Sequence, residues 1–307
     1  HLDITSYKSG TRTTPSASPQ FKDKIARIDD VKRLVMEEGC SARLLCPQQL
    51  KDKVSKLLAS LEDFWGMGAG CNVYLTPPQT QGFAPHYDDI EAFILQVEGK
   101  KRWRVYAPVN KSEILPGISS PDLNVDQIGE PVIDAILNPG DILYFPRGWI
   151  HQAFSVGDIP SLHLTISTAQ RQSWFDYLEV VVSQCLANAR EANIEMRRSL
   201  PLGYASYMGV MHASDAPGHD LLLRDGFHEK AMSLLQSAVS MANFDRAADE
   251  AVCRFLYDRQ PPMLTKAERK RSRPGGRNKV TLQSPLCLLR PDAVRIATVD
   301  EGIILYH

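Results

Sequence analysis

His86 and Asp88, inside the stretch GFAPHYDDIEAFILQVEGKKRW (82–103), stand two positions apart at the head of an apolar, strand-like run. On extended chain, residues two apart project to the same side, so an imidazole and a carboxylate can reach one metal ion. A third ligand must come from another strand. The stretch GDILYFPRGWIHQAF supplies it: Gly140, Pro146, Gly148 and His151 follow a G-x5-P-x-G-x2-H spacing, a hairpin that turns at Pro-Arg-Gly and aims His151 inward. Two neutral imidazoles and one carboxylate on one face of a metal leave coordination positions open, which suits non-haem Fe(II) oxygen chemistry. Zn or Mn would accept the same ligands, because these donors do not by themselves select iron. Asp89 and Glu91 fall on the other side of the strand from Asp88 and read as solvated groups or as hydrogen-bond partners of the ligands.

An open iron site needs a co-substrate, and 2-oxoglutarate needs a cation for its distal carboxylate. Lys101 opens the strand KRWRVY, but Lys100 and Arg102 flank it and facing alone does not choose among the three. The run LHLTIST puts His163, Thr165 and Ser167 on one face and Leu162, Leu164 and Ile166 on the other. If the polar face looks into a barrel, the barrel holds a wet, ligand-binding cavity; the other reading is an outer, solvated face. Asn72 and Tyr74 form a similar pair in CNVYLTPP.

The elements that must position these groups are short. From Cys71 the runs NVYLTP, AFILQVEG, KRWRVYAP, DAILNPGDILYFP, WIHQAFSV and SLHLTIST alternate with Gly, Pro and Asp turns at the spacing of a sandwich or small barrel. The G-x5-P-x-G-x2-H spacing is that of the second cupin motif. Ahead of it, residues 1–30 are polar and turn-rich and read as an extended arm, and 30–66 read as helical. The segment 112–131 is a long irregular insertion, of the kind that forms a lid or a rim.

After Gln170 the period becomes helical. SWFDYLEVVVSQCLANAREANIEMRRSLP reads as one helix ended by Pro201, followed by helices over 224–242 and 245–259. The stripe Phe175, Leu178, Val182, Cys185 and Leu186 needs a partner, either neighbouring helices or a second subunit. KAERKRSRPGGRNK carries seven basic residues in fourteen around a Pro-Gly-Gly break. It reads as a solvated loop, with contact to nucleic acid as the other reading.

Composition sets the frame. In 307 residues with 43% hydrophobic and 23% charged side chains the net charge is −1, so no global field draws the chain to nucleic acid or membrane. The six Cys form no CxxC pair, which favours reduced thiols in an intracellular compartment. No apolar stretch is long enough to span a bilayer. A start at His1 without Met and a stop inside the strand-like GIILYH read as a piece of a longer protein.

With these residues in hand, the chain resembles the JmjC-type 2-oxoglutarate oxygenases and, among them, the ribosomal oxygenases. The resemblance rests on SARLLCPQ, on the run from Gly70 to Pro108, on GDILYFPRGWIHQA, on SLHLTISTAQ and on the segment beginning SWFDYLE. It implies a mainly β fold with helices: a double-stranded β-helix (cupin or JmjC jelly roll) with N-terminal helices over 1–170, a helical dimerisation module over 171–262 and the start of a winged-helix domain over 263–307. By resemblance, His86, Asp88 and His151 bind Fe(II), and Lys101 grips the distal carboxylate of 2-oxoglutarate. Asn72 and Thr165 then sit by the co-substrate, and Arg43, Tyr74 and Ser167 line the substrate groove. The facing argument reaches Asn72, Tyr74, Thr165 and Ser167 independently; Arg43 comes from the resemblance alone.

The implied reaction consumes O2 and 2-oxoglutarate, releases succinate and CO2, and hydroxylates the β-carbon of a histidine in the ribosomal protein uL2 (L8), in the nucleus and its nucleolus, by a homodimer. Demethylation of methylated histone H3 is the other activity associated with the family. A non-catalytic cupin scaffold that docks a ribosomal or chromatin partner is the reading of another class. An intact triad together with Lys101 argues against it, since docking alone needs neither.

Overall fold

The structure is a computed structural model that describes residues 2–17, 25–213, 221–261, 263–272, 281–285, 288, 293–299 and 302–306. The chain separates into two compact units, His1–Arg171 with Asp258–Ala293, and Gln172–Tyr257 with Val294–His307. The sequence reading divides at 170/171 and 262/263. The segment after 257 goes with the first unit because the Gln260 N–H donates to the buried Glu62 carboxylate at 2.7 Å and Arg259 pairs with Asp63.

The first unit runs β1 (Leu2–Lys8), β2 (Thr11–Thr13), α1 (Ile28–Lys32), β3 (Ser41–Leu45), α2 (Asp52–Trp65), β4 (Ala69–Thr76), β5 (Glu91–Glu98), β6 (Lys100–Tyr106), β7 (Ile133–Leu137), β8 (Ile142–Phe145), β9 (Ile150–Val156) and β10 (Ser161–Thr168). Strands β2-β1-β3-β4-β10-β5-β8 form a seven-stranded antiparallel sheet, and β7-β6-β9 a three-stranded one. Alternation fixes the layers. Ala92 and Ile94 of β5 meet Trp103, Val105, Leu137 and Phe145 between the sheets, while Phe93 and Leu95, with Leu164 and Ile166 of β10, pack outward against Leu58 and Trp65 of α2. Because α2 covers the apolar face of β10, its polar face is free to look inward. The inward-facing reading of His163, Thr165 and Ser167 therefore holds.

Three expectations fail here. The arm over 1–30 contains a strand: Ile4, Thr5 and Ser6 are buried, and Ile4 pairs with Ala42 across β1 and β3. The region 30–66 is not all helix, since SARLL forms β3, pairing Ala42 with Leu75 and Arg43 with Tyr74 of β4. Both strands exist through partners distant in sequence, so local pattern could not find them. DAILNPGDILYFP also proves to be two strands in different sheets, broken at Gly140 (φ +97). Between β6 and β7 the insertion has only single 3-10 turns, Lys111–Glu113 and Val125–Gln127.

The second unit contains α3 (Trp174–Ala192), α4 (Leu221–Val239) and α5 (Phe244–Asp258), and the hairpin β11 (Arg295–Val299) and β12 (Gly302–Tyr306). Ser173 caps α3 reciprocally with Asp176. The helix stops well before Pro201, because the Asn193 side chain accepts the Glu195 N–H (2.9 Å) and starts a separate 3-10 turn, Ile194–Arg197. Val180, Val181, Cys185 and Ala189 pack on Ala238 and Ala247. Of the predicted stripe only Cys185 is buried; Phe175 is 73% exposed, and Leu178, Val182 and Leu186 remain open too. Of the basic run, 266–272 forms a short exposed helix and the remainder lies outside the described residues. No helix among the described residues is long and apolar enough to cross a membrane.

Candidate active site

The two candidate ligand strands meet through backbone. His86 and His151 are cross-strand partners, with His151 N–H donating to His86 O at 2.8 Å and His86 N–H to His151 O at 3.2 Å. One turn away, the Gly148 N–H donates to Asp88 O at 2.9 Å. Gly148 (φ +85) has no room for a side chain, since a Cβ would strike the Glu113 carbonyl oxygen and come within 2.8 Å of Pro116 Cδ. The Pro-Arg-Gly turn therefore packs backbone against backbone, and His151 is delivered beside His86, ring centroids 4.5 Å apart.

The side chains then converge. His86 Nε2 lies 3.9 Å from Asp88 Oδ1 and His151 Nε2 3.8 Å from Asp88 Oδ2. The three ligand atoms lie within 4.8 Å of one another, and among the described residues no other group of three His, Cys, Asp or Glu converges in this way. His86 Nδ1 stands 2.8 Å from Ala84 O and His151 Nδ1 3.2 Å from Trp149 O. A carbonyl only accepts, so each Nδ1 carries the proton and each Nε2 offers its lone pair to the centre. Burial, and then the neighbouring His86, push the His151 imidazolium well below its usual range and keep the ring neutral, the form that ligates. Two preoriented imidazoles and a carboxylate fit a divalent ion of the Fe(II) class with open positions.

A cavity of about 340 Å³ opens over these atoms and is lined by all nine residues given a metal, co-substrate or substrate role above. Strand register explains the gathering. Arg43, Tyr74 and His163 form one row across β3, β4 and β10; Asn72, Thr165 and Ile94 form the next; Gly70, Ser167 and Ala92 form a third. Small residues in the third row leave the space, and a Cβ on Gly70 would collide with the Ser167 hydroxyl.

The choice among Lys100, Lys101 and Arg102 is made by the register of β6. Lys101 turns inward and is 5% exposed; Lys100 faces solvent and Arg102 pairs with Asp134 outside. The Lys101 ammonium donates to Thr76 Oγ1 at 2.9 Å. Burial with no carboxylate at hand pulls its pKa down to about 7. Such a group is stabilised by any anion that enters the cavity.

Arg43 is tied to Asp3 (Nη2 to Oδ2, 2.5 Å) and stacks over Phe83, which Arg12 covers from 4.7 Å. Sequence reasoning gave no role to several residues of the wall. His163 stacks flat on Tyr74 (4.8 Å, 3°) and meets Trp103 edge-on (5.3 Å). Phe83, Trp103 and Phe145 line the same cavity, and so do Ser119 of the insertion and Gln170. The His163 alternation was a usable signal; the others sit near one another only through the fold. Asp89 accepts from Ser119 Oγ (2.7 Å) and Gln170 Nε2 (3.3 Å), so it braces the rim as a hydrogen-bond partner. Glu91 accepts from Tyr144 OH at 2.7 Å.

Residues 43–176 match the JmjC domain family. The chain is 42% identical over its whole length to chicken (Gallus gallus) ribosomal oxygenase 1, covering 51% of it. It is 39% identical, again over its whole length, to the bifunctional lysine-specific demethylase and histidyl-hydroxylase NO66 of Culex quinquefasciatus, covering 48% of it. It thus spans about half the length of the curated relatives it matches. A crystal structure of the Escherichia coli ribosomal oxygenase YcfD shares the fold, with a TM-score of 0.51 at 14% identity over 99% of this chain and 72% of that one. The His-Asp-His cluster and the lysine-floored cavity it opens on thus sit in a segment that is a JmjC domain, within a chain similar along its whole length to the ribosomal oxygenases.

Proposed function

We propose that the chain is an Fe(II)- and 2-oxoglutarate-dependent oxygenase that hydroxylates the β-carbon of a histidine in the ribosomal protein uL2 (L8). The observation that carries this reading is one cavity holding both a preoriented His86–Asp88–His151 triad and the buried, carboxylate-free Lys101. When bound, iron with 2-oxoglutarate and O2 supplies the oxidative decarboxylation, to succinate and CO2, that transfers one oxygen atom to a C–H bond. The work of this chain is binding and orientation. Lys101, held by Thr76, binds the distal carboxylate of 2-oxoglutarate, with Asn72 and Thr165 beside it. Tyr74 offers a flat face and a hydroxyl, and Arg43 and Ser167 offer donors, to hold a substrate imidazole with its β-carbon over the triad. Trp103, Phe145 and Ile94 line the walls with apolar surface and limit water around the reacting centre. The product is a stable alcohol, so no leaving group or general acid is required.

The names of the relatives support a ribosomal substrate, and one name also includes lysine demethylation. The test is mass spectrometry of a uL2 peptide and a trimethylated histone H3 peptide incubated with the chain, Fe(II) and 2-oxoglutarate, with Asp88→Ala as control. We expect a gain of one oxygen on a uL2 histidine, absent in the variant. Loss of methyl mass from the H3 peptide alone would transfer the assignment to demethylation.

We further propose that the chain acts as a homodimer in the nucleus and nucleolus, joined through the helical unit, and that the β11–β12 hairpin opens a winged-helix domain. The exposed side of α3, with Phe175, Leu178, Val182 and Leu186, supports the dimer. Sedimentation equilibrium should return twice the mass of the chain, and Phe175→Glu with Leu178→Glu should halve it.

A further inference from the structure

The insertion between β6 and β7 is irregular in shape yet held at many points. Leu123 N–H donates to Pro85 O (2.8 Å), and Ser120 N–H to Tyr87 O (2.9 Å). The Ser120 hydroxyl accepts the Tyr87 N–H (2.9 Å), Asp122 pairs with Arg12 (3.1 Å), and Ile128 is buried with Tyr106 and Ile150. At its near end the insertion packs on Gly148 through the Glu113 carbonyl and Pro116. At Ser119 it reaches the cavity.

Between these anchors three large apolar side chains stand in solvent: Ile114 (58% exposed), Leu115 (56%) and Ile118 (80%). Leu115 has φ +53, a left-handed backbone that a leucine adopts at a cost of roughly 1 kcal/mol or more. A loop with this many anchors is not leaving these groups exposed by slackness, and local strain of this kind gathers at ligand clamps. Ile118 directly precedes the cavity-lining Ser119, so this end of the apolar stretch adjoins the site.

We propose that Ile114, Leu115 and Ile118 form a docking rim for the polypeptide substrate, receiving an apolar side chain that flanks the residue inserted into the cavity. This rests on the oxygenase reading above, which makes the substrate a folded or extended protein chain rather than a small molecule. The rim is a second, chemically distinct contact. The cavity recognises the modified residue, and the rim recognises a neighbour in the same strand of substrate.

The test is Ile114→Ser, Leu115→Asn and Ile118→Ser together, with Asn chosen because it tolerates positive φ. Ile118→Ser alone is the milder variant, at a position too exposed to unfold the chain. Succinate release without peptide reports the metal and co-substrate site and should match wild type in both. With the uL2 peptide, loss of the contact of about one buried aliphatic side chain should raise KM on the order of tenfold in the triple variant while kcat stays within twofold. Replacing the apolar flanking residues of the peptide by Ser should raise KM for wild type and leave it unchanged for the variant. A KM within twofold of wild type in both variants, with the peptide still oxidised, overturns the docking rim and leaves the oxygenase reading standing. A wild type that releases succinate but oxidises no histidine overturns the substrate assignment and, with it, the occupant proposed here. A change of sedimenting mass in the variant overturns the rim as well, by assigning this surface to a second copy of the chain.

Discussion

Lys101→Met should make the apo-protein more stable and the enzyme useless, and both effects can be worked from one side chain. Burial lowers the Lys101 pKa from 10.5 to about 7, and neither Asp88 nor Asp89, which also line the cavity, offsets it. The unfolded chain therefore holds this proton more tightly than the folded one between those two values. The penalty is full below about pH 7, and stability rises as pH climbs from about 7 towards 10.5. At 1.36 kcal/mol per pH unit the whole penalty is at most ~5 kcal/mol, of which ~2 kcal/mol is relieved between pH 7 and 9. Methionine fills a similar volume with no charge, so the variant should unfold at higher urea at pH 7 and show a flatter stability profile up to pH 9. In the function proposed above, the same substitution removes the partner of the 2-oxoglutarate distal carboxylate. Losing a desolvated charge pair costs ~3 kcal/mol, which corresponds to roughly a hundredfold weaker co-substrate binding by titration calorimetry with Mn(II) in place of iron. The assays are urea unfolding followed by Trp fluorescence, and that titration. A variant less stable than wild type at pH 7 with an unchanged pH slope would refute the buried-charge argument. Retained 2-oxoglutarate affinity would refute the pairing.

Gly148→Ala should disrupt the delivery of His151, because its Cβ has to displace the Glu113 carbonyl at a positive φ; we expect a loss of ~3 kcal/mol or more in urea and weaker Co(II) binding by absorbance. Unaltered Co(II) affinity would show that the turn is not what positions the ligand. Glu62→Ala leaves the Ala69 and Gln260 N–H groups without their acceptor, and should cost ~2–4 kcal/mol while leaving succinate release per folded molecule unchanged. Thermal melts of the two proteins read this directly, and a difference under ~0.5 kcal/mol contradicts it. Chelation with EDTA should abolish succinate release and added Fe(II) should restore it; restoration by Zn(II) to the same rate would contradict iron chemistry.

The ligand set was legible because it is a matter of local spacing. A period of two puts His86 and Asp88 on one side, and a Pro-x-Gly turn returns His151 towards them, whatever surrounds either segment. The strands from 71 to 168 were legible for the same reason, since their alternation is written residue by residue. The strands at the N-terminal end were not. β1 and β3 are short polar-apolar mixtures, and they become strands only because β4 accepts the backbone of β3 and β3 in turn accepts that of β1. α3 misled in the other direction. Its composition favours helix up to Pro201, and a side-chain bond from Asn193, invisible to periodicity, ends it early.

What the sequence by itself determined is therefore the chemistry: two imidazoles, a carboxylate and a cation, on extended segments whose period sets which atoms share a side. What only the tertiary structure decided is which groups meet. Three strands far apart in the chain bring Arg43, Tyr74 and His163 into one row, and the register of β6 rather than charge selects Lys101 over its neighbours. The physical reason is that facing is a local, two-residue property of the backbone, whereas register between strands is fixed by burial and hydrogen bonding summed over the whole sheet.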